Sequence, residues 1–407
     1  MTDNTEFINE FASLKNQFSL MEPELEITIR DPEMDVEGYI VVWNTKISLG
    51  GILDGCGKGG TRVTKDLKLE DIKRLAKSMA EKNAAAGLPL GGAKSGLRCD
   101  PNDPNYEVKY KRFVELSKPY LRENGGIFGG FGYDVGCIPP KNAIWACDQL
   151  GSTKSFTGKP VNMGGTDYDK EGIAGLGVAV AGRALLGYKG IDVKGATFSV
   201  QGIGAMGAAV LKCFSEYGGT IKSISDPKYG GTWLFKGIIS EELLKNLINQ
   251  NLKEAIELLN IEAVKISDDS NDALYQDVDI IFPCALEDAI NKDNVGKIKA
   301  KYISEGANNP TSDEAHKILY DKGVMVIPDI IANPGGIIAA FVELTSNVTI
   351  EENIKTRAKV IEAKNMTEKK VIENTNNLLD MVNKVNISPD QVGDYIAYKN
   401  IFCGLKG

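Results

Sequence analysis

The segment from Gly195 to Asp226, GATFSVQGIGAMGAAVLKCFSEYGGTIKSISD, constrains this chain more than any other. Thr197 to Val200 reads as a strand, Gly202-Ile203-Gly204-Ala205-Met206-Gly207 as a tight turn, the stretch to about Tyr217 as a helix, and Thr220 to Ser225 as a second strand ending in Asp226. Each glycine has its own duty in such a turn. Gly202 permits the sharp change of direction, Gly204 lets backbone approach a pyrophosphate, and Gly207 lets the helix pack on the strand. The helix start presents unpaired N–H groups and a positive dipole end to phosphates. Asp226, 19 residues beyond Gly207, is placed to accept hydrogen bonds from an adenosine ribose. Its carboxylate would repel a 2′-phosphate, so NAD is favoured; Lys228, two residues on, softens that preference and leaves NADP possible.

Further apolar runs, Val278 to Phe282, Tyr302 to Ser304 and Val324 to Ile327, alternate with helical stretches and suit a doubly wound parallel sheet. Upstream of about residue 150 the texture differs. EGYIVVWNTKIS (37–48) looks like a strand entering a glycine-rich turn, and LEDIKRLAKSMAEKNAAAG like a helix stopped by Gly87. In that helix Leu69, Ile72, Leu75, Ala76 and Met79 share one face, and Lys82 falls at its edge, turned toward a cleft or a partner surface. From Ile350 onward the chain is helical and charged, with Ser388-Pro389-Asp390-Gln391 reading as a helix start. The expected class is α/β with two domains. An N-terminal α/β domain for substrate and oligomerisation, residues 1–150, is completed by C-terminal helices 342–407; residues 151–341 form a Rossmann-type dinucleotide-binding domain.

A formal charge of −8 argues against nucleic acid and anionic membrane surfaces as partners, which leaves small molecules. No segment reads as membrane-spanning, and the N-terminus lacks a signal-peptide pattern. The seven cysteines show no Cys-x-x-Cys spacing and read as free thiols of a reducing, cytoplasmic compartment, with no metal site. The single histidine, His316, lies in a helical pattern and reads as a surface or packing residue. Acid–base work therefore falls to Lys, Asp, Glu, Tyr or Cys.

Three lysines occupy unusual places: Lys58 in GCGKGGTR, Lys82 at the helix edge, and Lys94 in PLGGAKSG. The glycines beside Lys58 and Lys94 suggest tight turns where small residues leave room for a ligand. Grouped, the three cations would hold a carboxylate-bearing substrate, while repulsion and burial lower the pKa of the least solvated one. Asp134, in the glycine-rich FGGFGYDVG, could shuttle protons beside them or simply cap its own turn.

Lys58-Gly59-Gly60, Thr61-Arg62, KNAAAGLPLGGAKSG, GYDVG, VQGIGAMG, SEGANNPT and PDIIANPGG, in this order over roughly residues 30 to 347, resemble the glutamate/leucine/phenylalanine/valine dehydrogenase family. The resemblance implies a homo-oligomer, a hexamer, that oxidatively deaminates an L-amino acid with NAD(P) as hydride acceptor. It implies that Lys94 activates water and polarises the carbonyl, that Asp134 relays protons at nitrogen, and that Lys82 holds the substrate α-carboxylate. Lys58 stands where glutamate enzymes bind the side-chain carboxylate, so L-glutamate is the expected substrate. Ala340 stands where those enzymes carry a serine assisting that lysine, and Ile173 or Ala174 replaces a threonine that contacts nicotinamide. These departures keep two alternatives in view, a branched-chain dehydrogenase and a catalytically silent nucleotide-binding relative. Asn308 and Asn333 are the implied contacts to the nicotinamide ribose or carboxamide.

Overall fold

The computed structural model describes residues 4–405. The chain divides into two compact units. The first is built from Thr5–Asp167, Ile337–Ala363 and a segment beginning at Asp394; the second from Tyr168–Gly336 and Lys364–Gly393.

The first unit opens with helix α1 (Thr5–Ser19) and the hairpin β1 (Leu25–Asp31) and β2 (Val36–Val42). Two short strands, β3 (Gly57–Lys58) and β4 (Thr61–Thr64), precede helix α2 (Leu69–Ala85) and strand β5 (Gly91–Arg98). β5 is the hub: antiparallel to β2, and parallel to both β3 and β4. Helices α3 (Tyr106–Ser117) and α4 (Lys141–Leu150) follow, with the small pair β6 (Phe131–Gly132) and β7 (Phe156–Thr157). One sheet face, with Ile40, Val42, Ala93 and Leu97, is buried under Tyr110, Phe113 and Val114 of α3. The other carries α2, whose Ile72, Ala76 and Ala80 recur at helical spacing and are almost fully buried.

The second unit begins with α5 (Ile173–Tyr188) and runs through β8 (Thr197–Gln201), α6 (Ala205–Glu216), β9 (Thr220–Asp226) and β10 (Gly231–Phe235). Then come α7 (Glu241–Ile248), α8 (Leu252–Glu262), β11 (Ala263–Ser267), β12 (Ile280–Pro283), β13 (Tyr302–Ser304), α9 (Asp313–Asp321), β14 (Met325–Ile327) and the short α10 (Asp329–Ala332). The sheet order is β11-β10-β9-β8-β12-β13-β14. Side chains alternate across it: Phe198, Val200 and Phe282 pack with α5 and α6, whereas Ile281, Ile303 and Val326 pack with Ala315 and Leu319 of α9. Both faces are thus covered.

The expected doubly wound parallel arrangement is present and is extended at one edge. β9, β8, β12, β13 and β14 are parallel; β10 adds to the β9 edge antiparallel, and β11 pairs antiparallel with β10 in turn. For β10 the reason is connection length. Only Pro227 to Gly230 separate β9 from β10, and a parallel crossover needs a dozen residues or more.

The C-terminal helices are α11 (Gly335–Thr345), α12 (Ile350–Thr356), α13 (Ala358–Val385) and α14 (Pro389–Cys403). They do not group as one block 342–407: residues 364–393 belong with the second unit. Contacts to α5 and the residues just before it account for this. Arg183 Nη2 lies 2.5 Å from Glu368, Lys364 Nζ 3.1 Å from Glu171, and the Tyr188 hydroxyl donates to Asp380 at 2.6 Å.

Candidate active site

Alternation along β5 sets Gly92, Lys94 and Gly96 on the face beneath α2. The glycines here were expected to leave room for a ligand, but their space is taken by protein. A Cβ on Gly92 would sit 2.2 Å from the Ala80 nitrogen, and one on Gly91 1.7 Å from the Asn44 carbonyl oxygen. Around Lys58 the same holds, since a Cβ on Gly59 would lie 1.8 Å from the Ala93 oxygen. Close backbone packing fixes the strand and keeps water off it, so Lys94 is only 7% exposed.

The Lys94 ammonium lies 2.7 Å from Asp134 Oδ2, just beyond β6. Arg62 reaches the same carboxylate, with Nε 3.2 Å from Oδ2 and Nη2 3.3 Å from Oδ1. Its position follows from register, because Arg62 of β4 pairs with Gly96, two residues beyond Lys94. Burial raises the Asp134 pKa, but the Lys94 ammonium and then Arg62 outweigh it and hold the carboxyl below its usual range. Asp134 is therefore ionised at neutral pH. Arg62 had no role in the sequence reading; only the strand pairing reveals one.

Lys58 is 4% exposed, and its ammonium donates to the carbonyls of Gly59 (2.7 Å) and Phe131 (2.8 Å). Burial pushes its pKa down to about 7, and the Lys94 charge adds to the effect. Lys82 is half-buried in the last turn of α2. The next residue, Asn83, donates to Gly91 O at 2.8 Å and Lys58 O at 3.4 Å, clamping that end of the helix to β3 and β5. Lys58, Arg62, Lys94 and Asp134 thus form one charged group, with Lys82 on the adjoining helix end.

Ala340 is buried on α11. One turn later lies a residue that sequence reasoning missed. The Glu343 side chain is wholly buried and accepts from Lys159 Nζ (2.8 Å), the Gly158 amide (3.1 Å), and the Thr166 amide and hydroxyl (2.7 Å each). It ties the 158–166 segment to α11 and is a counter-charge for Lys58. A signal was present: Glu343 is the only charged residue from Asn333 to Asn347.

In the second unit the turn after β8 sets its three glycines in different surroundings. Gly202 has φ +84°. A Cβ on Gly207 would fall 1.8 Å from the Gly202 oxygen, and one on Gly204 would meet nothing within 4 Å. The first two explain the turn and the helix packing; the third leaves its backbone bare. Asp226 closes the turn, accepting from the Ile203 amide through Oδ2 and the Lys228 amide through Oδ1, each at 2.8 Å. Asn333 Nδ2 donates to Gly306 O (3.0 Å), Ala307 O (3.3 Å) and Asn308 Oδ1 (3.3 Å), so the two asparagines are held side by side. Ile173 is buried and Ala174 half-buried at the start of α5. Among the described residues no group of His, Cys, Asp and Glu is placed to hold a metal ion, and no helix is long and apolar enough to cross a membrane.

Residues 164–395 match the family model described as Glutamate/Leucine/Phenylalanine/Valine dehydrogenase, and residues 23–130 match the Glu/Leu/Phe/Val dehydrogenase dimerisation domain. The chain belongs to this dehydrogenase family. It is 34% identical over 363 residues to an NADP(+)-dependent glutamate dehydrogenase of Pyrobaculum calidifontis, covering 85% of this chain and 84% of that one. With a glutamate dehydrogenase of Thermotoga maritima it shares 33% identity over 353 residues, 83% of this chain and 82% of the other. Among solved structures, the glutamate dehydrogenase of Peptoniphilus asaccharolyticus superposes with a TM-score of 0.76 at 25% identity, covering 98% and 96% of the two chains. As a member of the Glu/Leu/Phe/Val dehydrogenases, the chain is an amino-acid dehydrogenase that works with NAD(P).

Proposed function

We propose that this dehydrogenase catalyses the reversible oxidative deamination of L-glutamate to 2-oxoglutarate and ammonium, with NAD preferred over NADP. The observation that carries the reading is the Lys94–Asp134 contact of 2.7 Å beside the buried ammonium of Lys58. One group then holds a proton-transfer pair and a cation for a second substrate carboxylate. Bound NAD supplies the hydride acceptor. Gly202, Gly204, Gly207 and Asp226 hold its adenosine and pyrophosphate portion, and Asn308 and Asn333 its nicotinamide portion.

Lys82 takes the α-carboxylate and Lys58 the side-chain carboxylate. Once the α-carbon has lost its hydride, the substrate is an iminium that water attacks. Lys94 first passes a proton of its ammonium to Asp134 and, as the neutral amine, accepts the proton of that water, while Asp134 gives its new proton to the departing nitrogen. Arg62 keeps Asp134 ionised between turnovers. Exclusion of bulk water at the buried Lys94 strengthens each of these interactions.

One observation favours a second reading, an apolar branched-chain substrate. Lys58 is already bonded to two carbonyls, its proton is weakly held, and Ala340 offers no hydroxyl to a carboxylate. NADH consumption with 2-oxoglutarate and ammonium tests the choice. Turnover with branched-chain 2-oxoacids alone would move the assignment to them, and turnover with no oxoacid would leave a silent nucleotide-binding relative. The match to a dimerisation domain supports a homo-oligomer, and the seven unpaired thiols suit a cytoplasmic setting.

A further inference from the structure

The chain's one histidine is neither on the surface nor packed among apolar groups alone. His316 of α9 is 6% exposed, and its Nε2 lies 3.2 Å from Oε1 of Glu305, itself 1% exposed. Glu305 follows β13 at the root of the loop that carries Asn308. Its second oxygen, Oε2, accepts from the Asp329 amide at 2.9 Å, at the start of α10, which leads to Asn333. Asp329 Oδ2 accepts from the Asn309 amide at 3.3 Å. The circuit closes where Asn333 donates to Gly306 and Ala307. Two loops are thus locked together, and the buried carboxylate at their junction faces an imidazole.

We propose that His316 is a positioning residue for the cofactor: paired with Glu305 behind the 305–311 loop, it holds Asn308 and Asn333 in the arrangement that receives the nicotinamide portion. The proposal rests on the cofactor-site reading above. Carboxylates face the imidazole from three elements, Glu305 beyond β13, Asp329 of α10 and Asp390 of α14. Burial lowers the His316 pKa, but these carboxylates, Glu305 first, outweigh it and bring it to about 9. The imidazolium is therefore present at neutral pH and is lost as the pH rises through that value. Without it, Glu305 is a buried charge beside two others, and the loop must open to hydrate it.

The test is NADH binding by the full chain, followed by fluorescence, with steady-state kinetics and melting temperature measured on the same samples. His316→Gln should weaken NADH binding about tenfold or more at neutral pH, the scale expected when a buried charge loses its partner. The KM for the oxoacid should stay within about twofold, as no contact to the charged group of the first unit is removed. Unsubstituted enzyme should lose NADH affinity as pH rises past about 9. The double variant His316→Gln/Glu305→Gln, which removes both charges, should regain most of the affinity and lose the pH dependence. Unchanged affinity and pH profile in His316→Gln would overturn the proposal. So would equal losses for NADH and oxoacid, which would mark a purely structural histidine. Failure of the unsubstituted enzyme to bind NADH or NADPH would overturn the cofactor-site reading, and this proposal with it.

Discussion

Both halves of the chemistry are written in glycine-rich sequence, GLPLGGAKSGL around Lys94 and QGIGAMG after β8, yet the glycines serve opposite purposes. In the first unit, α2 and neighbouring backbone fill the space that Gly91, Gly92 and Gly96 leave, pressing a lysine-bearing strand into a rigid dry platform. In the second unit, the space over Gly204 is open. One region removes side chains so that protein can come close, the other so that a ligand can. A lysine on the packed platform has few rotamers and little water, which suits proton transfer. A backbone turn with an open flank suits an anion that arrives and leaves.

If the platform exists to aim Lys94, its side chain should be expendable for folding and indispensable for turnover. Lys94→Ala should lower kcat by about a thousandfold or more, within the range of lost acid–base catalysis, while NADH affinity and melting temperature change little. Asp134→Asn should do nearly as much. Substantial turnover in either variant would break the comparison at its centre.

The glycines allow a direct contrast. Gly92→Ala sets a methyl group 2.2 Å from the Ala80 nitrogen, a backbone atom that cannot yield without moving α2, so a loss of about 3 kcal/mol or outright misfolding is expected. Gly204→Ala should fold normally, since nothing lies within 4 Å of its Cβ, yet it should weaken dinucleotide binding about tenfold by blocking backbone approach. Thermal melting and NADH titration of the two variants read these effects separately. The same outcome for both would erase the distinction.

That contrast also shows what could be read in the residues. The segment 195–226 was legible almost residue by residue, because turn, helix start and terminal acid are local and depend on spacing alone. The α2 stripe was legible for the same reason. Whether a glycine faces a helix or a ligand depends on what arrives from elsewhere in the chain, and nothing near Gly92 announces Ala80. Arg62 was hidden likewise, since its partner Asp134 is 72 positions away. The Lys159–Glu343 pair joins residues 184 apart, and β10 fell outside the alternation of strands with helices, because Gly231–Phe235 follows β9 in a hairpin with no α-helix between them.

Lys58 sharpens the platform's electrostatics. A bound side-chain carboxylate needs the ammonium form, which the free enzyme keeps below about pH 7 and loses as the pH rises through it. Affinity for glutamate should be full on the acid side and fall toward tenfold per pH unit above that value, so KM should climb. An apolar amino acid should show no such rise. Lys58→Ala should flatten the glutamate profile, and a KM independent of pH in the unsubstituted enzyme would remove Lys58 from carboxylate binding.

The smallest expected effect lies at Ala340. The methyl group is buried on α11, one turn from Glu343, and conversion to serine adds a single oxygen at nearly constant volume. If Lys58 receives the glutamate carboxylate, a hydroxyl nearby can donate a hydrogen bond worth about 1 kcal/mol, so Ala340→Ser should lower the KM for glutamate about fivefold with kcat unchanged. The same change should leave an apolar substrate unaffected or slightly worse, because the hydroxyl would face an alkyl chain. A gain confined to glutamate would mark Ala340 as a tuned weakening of an otherwise glutamate-shaped site. A loss for glutamate with a branched-chain substrate preferred from the start would instead mean that Lys58 serves the carbonyls of Gly59 and Phe131, and belongs to the platform's structure and not to its recognition.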